Sequence, residues 1–348
     1  DSVAAVANQG IVLLPFFLAR RYLASAEALR AIVVALVLAG LAYSIPMLIE
    51  IRLSPQMNSW VYGYMQHNFF QTIRFGGYRP VVFLTHGLWV AFFALMTVLS
   101  ALMLLRADPA KNRTRHMAVV IYLGLVLVLS KSAGTLVYAL VFAPMILLLG
   151  RRWLFLLSAV IALVVITYPL LRGGHLVPIE AALRLAEGVG ADRAYSLWFR
   201  FENEDQLLAR ANLRPWFGWG GYGRSLIYDP ITGASASIAD GAWIIALGIY
   251  GWLGYIAQFG LLALPLLKLG REALRQQADN LSLFAGAVAL ILAANLLDLV
   301  PNATLIPFTW LMAGALLGHA EALRSGRGKG VEDRPGRVSA PRPVRTVL

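Results

Sequence analysis

The 348-residue chain is 59% hydrophobic but only 14% charged, with a mean hydropathy of +0.68, where a soluble domain carries about a quarter charged residues. Charge collects in short blocks between long apolar runs, the pattern of many membrane spans rather than of one soluble core. The net charge of +12 lies mostly between those runs, which fits a positive-inside bias and not a nucleic-acid groove, and the lack of cysteine excludes disulfides, zinc–thiolate sites and thiol catalysis.

The chain begins at Asp1 without a methionine or a basic leader, which implies upstream sequence, further spans included; no signal peptide is visible. In chain order, apolar runs occupy about 3–19, 31–49, 81–105, 117–130, 132–149, 153–170, 243–267, 281–298 and 303–319. They predict an all-α polytopic membrane protein with about nine transmembrane helices. An outer loop at 50–80 falls within the helical region 1–170, and a large helical periplasmic loop at 171–242 lies between the sixth and seventh spans. Further spans fill 243–319, and a basic, disordered cytoplasmic tail covers 320–348.

Charge sets the orientation. With the tail in the cytoplasm, the same side receives Arg20, Arg21 and Arg30, then Arg106, Lys111, Arg113 and Arg115. Arg151, Arg152, Lys268, Arg271 and Arg275 follow, with seven more basic residues in the tail, so every short loop on that side is basic. The opposite side receives 50–80, 171–242 and a turn at Pro301. A 72-residue connection (171–242) is too long to be passive; it holds helical patterns near 179–187 and 196–211.

Three ionisable residues stand out within the spans: Lys131, His86 and Asp298. Asp298 is at the outer end of its run, His86 is about two turns in from the outer end of its helix, and Lys131 sits in the break Ser130-Lys131-Ser132. No series of charges crosses the midplane, which disfavours a proton-coupled carrier. The chemistry therefore concentrates in the outer loops. The first ends in Gly76-Gly77-Tyr78-Arg79-Pro80. The second carries Arg200, Arg210 and Arg214-Pro215-Trp216-Phe217-Gly218-Trp219-Gly220-Gly221-Tyr222-Gly223-Arg224, and closes on Asp240-Gly241. Arginine forks grip phosphate at two points, glycine amides form anion nests, and a helix N-terminus near Gly241 favours an anion at that surface. Aromatic rings among arginines suit a sugar carried on a phosphate.

These motifs, with Leu247-Gly248-Ile249-Tyr250-Gly251 after them and Ser130-Lys131-Ser132-Ala133 before, resemble the O-antigen ligase and polymerase superfamily over roughly residues 80–270, in its exopolysaccharide-type branch. The resemblance implies an inverting, glycosyltransferase-type ligase or polymerase of the bacterial inner membrane. It would move a glycan from an undecaprenyl-diphosphate donor to an acceptor glycan or glycolipid at the periplasmic face, without metal or other cofactor. Arg200 matches that family's loop arginine, Lys131 stands where an arginine is usual, and Asp240 stands where ligases have a histidine. The expected catalytic residues are Asp240, His86 and Arg200, with the base open between Asp240 and His86. Lys131, Arg79, Arg214, Arg224, Trp216, Trp219 and Tyr222 are expected to bind substrate.

Each has a plainer reading. Arg200 pairs with Glu204 one turn on, and Arg210 lies on a solvated face. Asp240 caps the following helix, and His86 makes one hydrogen bond to a neighbouring helix. Lys131 snorkels to the interface. The glycines make tight turns with positive φ, and the tryptophans form an interfacial belt. Bilayer lipid is an expected partner and nucleic acid is not. A glycolipid flippase and a non-catalytic assembly scaffold are the rival functions.

Overall fold

The computed structural model describes residues 2–108, 112–188 and 190–326; Lys111 and most of the expected tail, from 327 on, lie outside them. Each of the nine apolar runs forms a helix. The first six are α1 (Ser2–Tyr22), α2 (Ala26–Leu53), α4 (Gly87–Ala107), α5 (Arg113–Leu129), α6 (Ala133–Leu148) and α7 (Arg151–Gly173). The last three are α10 (Ala242–Arg275), α11 (Leu283–Asp298) and α12 (Pro307–Arg324). The outer segments add α3 (Met57–Tyr62), α8 (Ile179–Glu187), α9 (Ala191–Asn212) and a two-stranded hairpin, β1 (Ile73–Arg74) with β2 (Gly77–Tyr78). The fold is all-α, and α2, α4, α7 and α10 are long and apolar enough to cross a membrane; α6 and α11 are shorter apolar helices.

Several boundaries move. The third run yields a helix only from Gly87, so His86 stands outside it and not two turns in. The outer connections are 54–86 and 174–241, because α2 and α7 each continue past their apolar runs. That shift brings Glu50 and Arg172, both buried, into the last turns of α2 and α7.

Short links make successive helices run in opposite directions. At the centre stands α11, buried continuously from Ala285 to Leu296; a helix apolar all round belongs inside a bundle. It packs against α2, α4, α7 and α12. Helix α1 runs parallel to α12 at close range. A Cβ on Gly314 would lie 2.0 Å from the Phe16 carbonyl oxygen, and one on Gly318 would lie 2.3 Å from that of Arg20. The four-residue spacing of these glycines lets the backbones meet.

The two ends of the bundle differ. At one, Arg20 and Lys268 converge on Glu321, Arg151 donates to the carbonyls of Asp279 and Leu281, and Arg106 donates to that of Ile146. At the other lie the two long connections, the break at 130–132 and the 299–306 loop.

Candidate functional site

Two outer segments build the site from opposite sides. The first, 54–86, is anchored by Glu50, which is 1% exposed. Its carboxylate accepts from the backbone amides of Met57 (2.9 Å), Val81 (2.8 Å) and Val82 (2.7 Å). A buried carboxylate is tolerable only when its oxygens are satisfied in this way. The hairpin then turns through Phe75 and Gly76, both at positive φ. Lys131, itself at φ 53°, extends its Nζ against Gly77 and donates to the Phe75 carbonyl at 3.4 Å. Arg79 packs its stem across Gly87, where a Cβ would come within 2.3 Å, and donates through Nη2 to the Lys131 carbonyl at 3.3 Å.

His86 caps α4: its Nδ1 accepts from the Leu88 amide at 2.9 Å. Its ring stands 4.2 Å from that of His67. Burial, followed by the charges of His67, Arg79, Arg74 and Arg200, pushes its pKa down to about 4. The imidazole is therefore neutral near pH 7, and with Nδ1 engaged as acceptor its proton sits on Nε2. The expected hydrogen bond to a neighbouring helix is replaced by a cap on its own.

The second side is α9, held by Arg172. That side chain is 1% exposed. It donates through Nη2 to the Phe201 carbonyl at 3.0 Å and pairs with Asp205 at 2.9 Å. It also lies 3.6 Å from Glu204 Oε2 and 5.3 Å over the Phe201 ring. Asn203 accepts from the Ile238 amide at 2.8 Å, and Trp243 Nε1 donates to Glu204 at 3.4 Å. Together these contacts fix the inner face of α9 against the start of α10. Burial raises the Glu204 carboxyl to about 7 despite Trp243 and Arg172, which act in the opposite direction.

Arg200, one turn before Glu204 on α9, does not pair with it. Its Nε meets Asp240 at 3.4 Å and its Nη1 donates to the Pro301 carbonyl at 3.3 Å. Asp240 is therefore not the expected cap of α10. Gly241 holds the cap position, and the Ala242 amide donates to the carbonyls of Leu299 and Asn302. A Cβ at Gly241 would lie 2.1 Å from the Val300 carbonyl oxygen, so the glycine admits the 299–302 loop. That loop is in turn tied to Asp298, which accepts from Thr304 at 2.6 Å and Asn302 at 2.9 Å. Behind the Arg200–Asp240 pair is a cavity of about 250 Å³, lined by Phe199, Asn203, Glu204, Ile238, Pro301 and Tyr168 among others.

The Gly- and aromatic-rich stretch belongs elsewhere. Its backbone stitches into a break in α10: Trp219 and Gly220 amides donate to the carbonyls of Gly248 and Ile249, and the Trp252 amide donates to that of Pro215. Gly218 (φ 67°) and Gly251 (φ 66°) meet there, and a Cβ on either would lie within 2.6 Å of the other strand's backbone. Gly220 and Gly223 also take the positive φ expected of them, but Gly221 does not, and Tyr222 (φ 61°) does instead.

Trp219 gives its Nε1–H to the Arg210 carbonyl, and the guanidiniums of Arg210 and Arg214 lie 4.2 and 4.5 Å from its ring centroid. Arg210 is thus packed on an indole rather than solvated on a helix face, and it donates to the Arg224 carbonyl at 2.8 Å. Arg224 lies over Tyr222, 5.8 Å from its centroid. Trp216 and Tyr222 are exposed, 64% and 82%, so neither is walled into a pocket.

The expected residues thus divide. Arg79, Lys131, His86, Arg200 and Asp240 gather around the hairpin, the α4 cap and the 299–302 loop, while Arg214, Arg224, Trp219 and Tyr222 form a separate group with Arg210. Sequence reasoning missed Arg172, Glu204, Asn203, His67, Arg74 and Glu50. Only Arg172 had a signal, as a charge ending an apolar run. Among the described residues, no group of three His, Asp or Glu side chains is arranged to hold a metal ion. No protein-family model matches the chain, and no curated protein matches it.

Proposed function

We propose that the chain is a membrane glycan transferase of the O-antigen ligase and polymerase kind, acting on a lipid-diphosphate-linked glycan. In this reading the nine helices are nine spans, and the loop-bearing end is the periplasmic face of an inner membrane. The observation that carries it is the Arg200–Asp240 pair at the mouth of a cavity, in the same electropositive field as Arg74, Arg79 and the His67–His86 pair.

The donor diphosphate would lie on the side of Arg79, Lys131 and Arg200, whose fixed charges stabilise the leaving group as the glycosidic bond breaks. Asp240 orients the Arg200 fork. His86 presents Nε2–H and so donates to a diphosphate oxygen better than it accepts a proton. The hydroxyl proton then leaves on the carboxylate side, where Asp240 and Glu204 border the cavity. Transfer by positioned cations requires no metal, nucleotide or other cofactor.

A flippase or exporter would need charges at mid-depth. Among the described residues of the apolar helices, the buried charged and histidine side chains Glu50, Arg172, Glu272, Asp298 and His319 instead lie within about a turn and a half of a helix end, which supports the transferase reading. A scaffold would tolerate loss of single loop arginines.

The test is reconstitution in lipid with a polyprenyl-diphosphate glycan, candidate acceptor glycans and a chelator. Product should form with wild-type protein, and Arg200→Ala should lower turnover about 100-fold, the scale of losing one oriented donor to a developing anion, while the protein stays folded. Wild-type turnover in Arg200→Ala would overturn the assignment.

A further inference from the structure

We infer that the cavity behind the Arg200–Asp240 pair is the acceptor subsite, taking one neutral sugar ring of the acceptor glycan, with Glu204 receiving the proton of the attacking hydroxyl. This rests on the transferase reading above and assigns a role to a cavity and a residue that the motifs did not single out.

The geometry carries it in three steps. Arg200 and Asp240 line the mouth, and among the described residues Arg200 is the one that belongs both to the cationic group around His86 and to the cavity lining. A donor on the cationic side and an acceptor in the cavity would thus meet across Arg200. The cavity, of about 250 Å³, has room for a single sugar ring, and Phe199 and Tyr168 offer it apolar faces while Asn203 and Glu204 offer polar atoms. Finally, Glu204 is 8% exposed, and its Oε2 has no hydrogen-bond partner, lying 3.6 Å from Arg172 Nε. An ion-paired oxygen that stands beyond hydrogen-bond reach of its Arg172 partner keeps a lone pair for the hydroxyl of a ligand in the cavity.

The charge of the lining sets the class of acceptor. The described lining sets two carboxylates, Glu204 and Asp240, against one guanidinium, that of Arg200, which is already paired with Asp240, so an anionic ring finds no unengaged cation there and a neutral ring is favoured. In the transfer, the acceptor hydroxyl oxygen bonds to the anomeric carbon as that carbon's bond to the diphosphate oxygen breaks. The diphosphate departs with the electron pair, and the hydroxyl proton passes to Glu204. A carboxyl held near 7 by burial is matched to this work at neutral pH. Asp240 is instead engaged by the Arg200 guanidinium at 3.4 Å.

The test has one arm that needs no turnover. A water-soluble carbodiimide labels protonated carboxyls, and labelling of Glu204 in the lipid-reconstituted protein is followed at pH 6.5 by peptide mass spectrometry. Methyl glycosides of neutral hexoses should protect Glu204, and a methyl hexuronide should not. In the second arm, Glu204→Gln should lower kcat about 100-fold and remove the rise of rate with pH around 7, with affinity for polyprenyl diphosphate unchanged. Val177→Trp, which narrows the cavity from the 174–178 link without touching either carboxylate, should raise KM for acceptor alone.

Absent protection by any glycoside, while transfer proceeds, would overturn the subsite and leave the transferase standing. Equal protection by the hexuronide would overturn the charge selection. An unchanged pH profile in Glu204→Gln would overturn the proton acceptor. If neutral glycosides protect but no donor yields product, the transferase reading fails and the sugar site stands.

Discussion

Arg172 and Glu204 decide what the loop arginine can do. Arg200 lies on a helix with no buried residue among those described in its first two turns, and the grip of Arg172 on Phe201, Glu204 and Asp205 helps to aim it at Asp240. Removing one partner of a buried pair leaves the other charge uncompensated. Arg172→Met should therefore cost about 3 kcal/mol of stability, read as a lower thermal midpoint in detergent, and should lower transfer as well.

The two shifted groups set opposite pH trends. Burial raises Glu204 from 4.5 to about 7, so the stability it contributes is complete below 4.5 and is lost as pH rises through 7. Its Gln variant should abolish that decline. His86 falls from 6.5 to about 4, so its contribution is complete above 6.5 and is lost as pH drops through 4. His86→Asn keeps a capping acceptor and should flatten the acid limb, whereas His86→Ala should also lose the cap, at about 1 kcal/mol. Thermal midpoints between pH 4 and 8 measure both.

At the scale of elements, the break in α10 is a lock between two motifs more than 25 residues apart in the chain. Pro215–Gly220 occupies the hydrogen-bonding groups that α10 frees around Gly251, and Gly218 and Gly251 have no room for a Cβ. Gly251→Ala would meet the Trp216 backbone within 2.5 Å at φ 66°. It should cost at least the about 1–2 kcal/mol of left-handed strain and expose Arg214–Arg224 to limited proteolysis. Rates of cleavage there, compared with wild type, decide it. The motif that suggested a diphosphate cradle from its composition thus has a structural duty. Its arginines Arg210 and Arg214 pack on Trp219, away from Arg200.

For the whole molecule, the basic end and the loop-bearing end are opposite, and the lack of cysteine makes sidedness directly measurable. With the loops periplasmic, Ile231→Cys, at a position 92% exposed, should react with an impermeant maleimide in intact spheroplasts. Gln277→Cys, at the basic end, should react only after permeabilisation. The reverse pattern would place the candidate site in the cytosol, where a periplasmic transferase has no substrate.

Helix number, the bipartite charge and the two loop helices near 179–187 and 196–211 were legible from sequence, because hydropathy and helical periodicity are properties of neighbours along the chain. Arg79, Lys131, His86, Arg200 and Asp240 were legible as candidates for the same reason: each is polar beside an apolar run or in a loop motif. Their partners were not. Nothing local says that Arg200 reaches Asp240 and not Glu204, that Gly241 rather than Asp240 opens α10, or that Arg172 lies buried beneath α9. The sequence by itself determined a chain of apolar helices with chemistry at one end. The tertiary structure alone decided which charges face each other, because burial, pairing and shifted proton affinity arise between residues that only folding brings together.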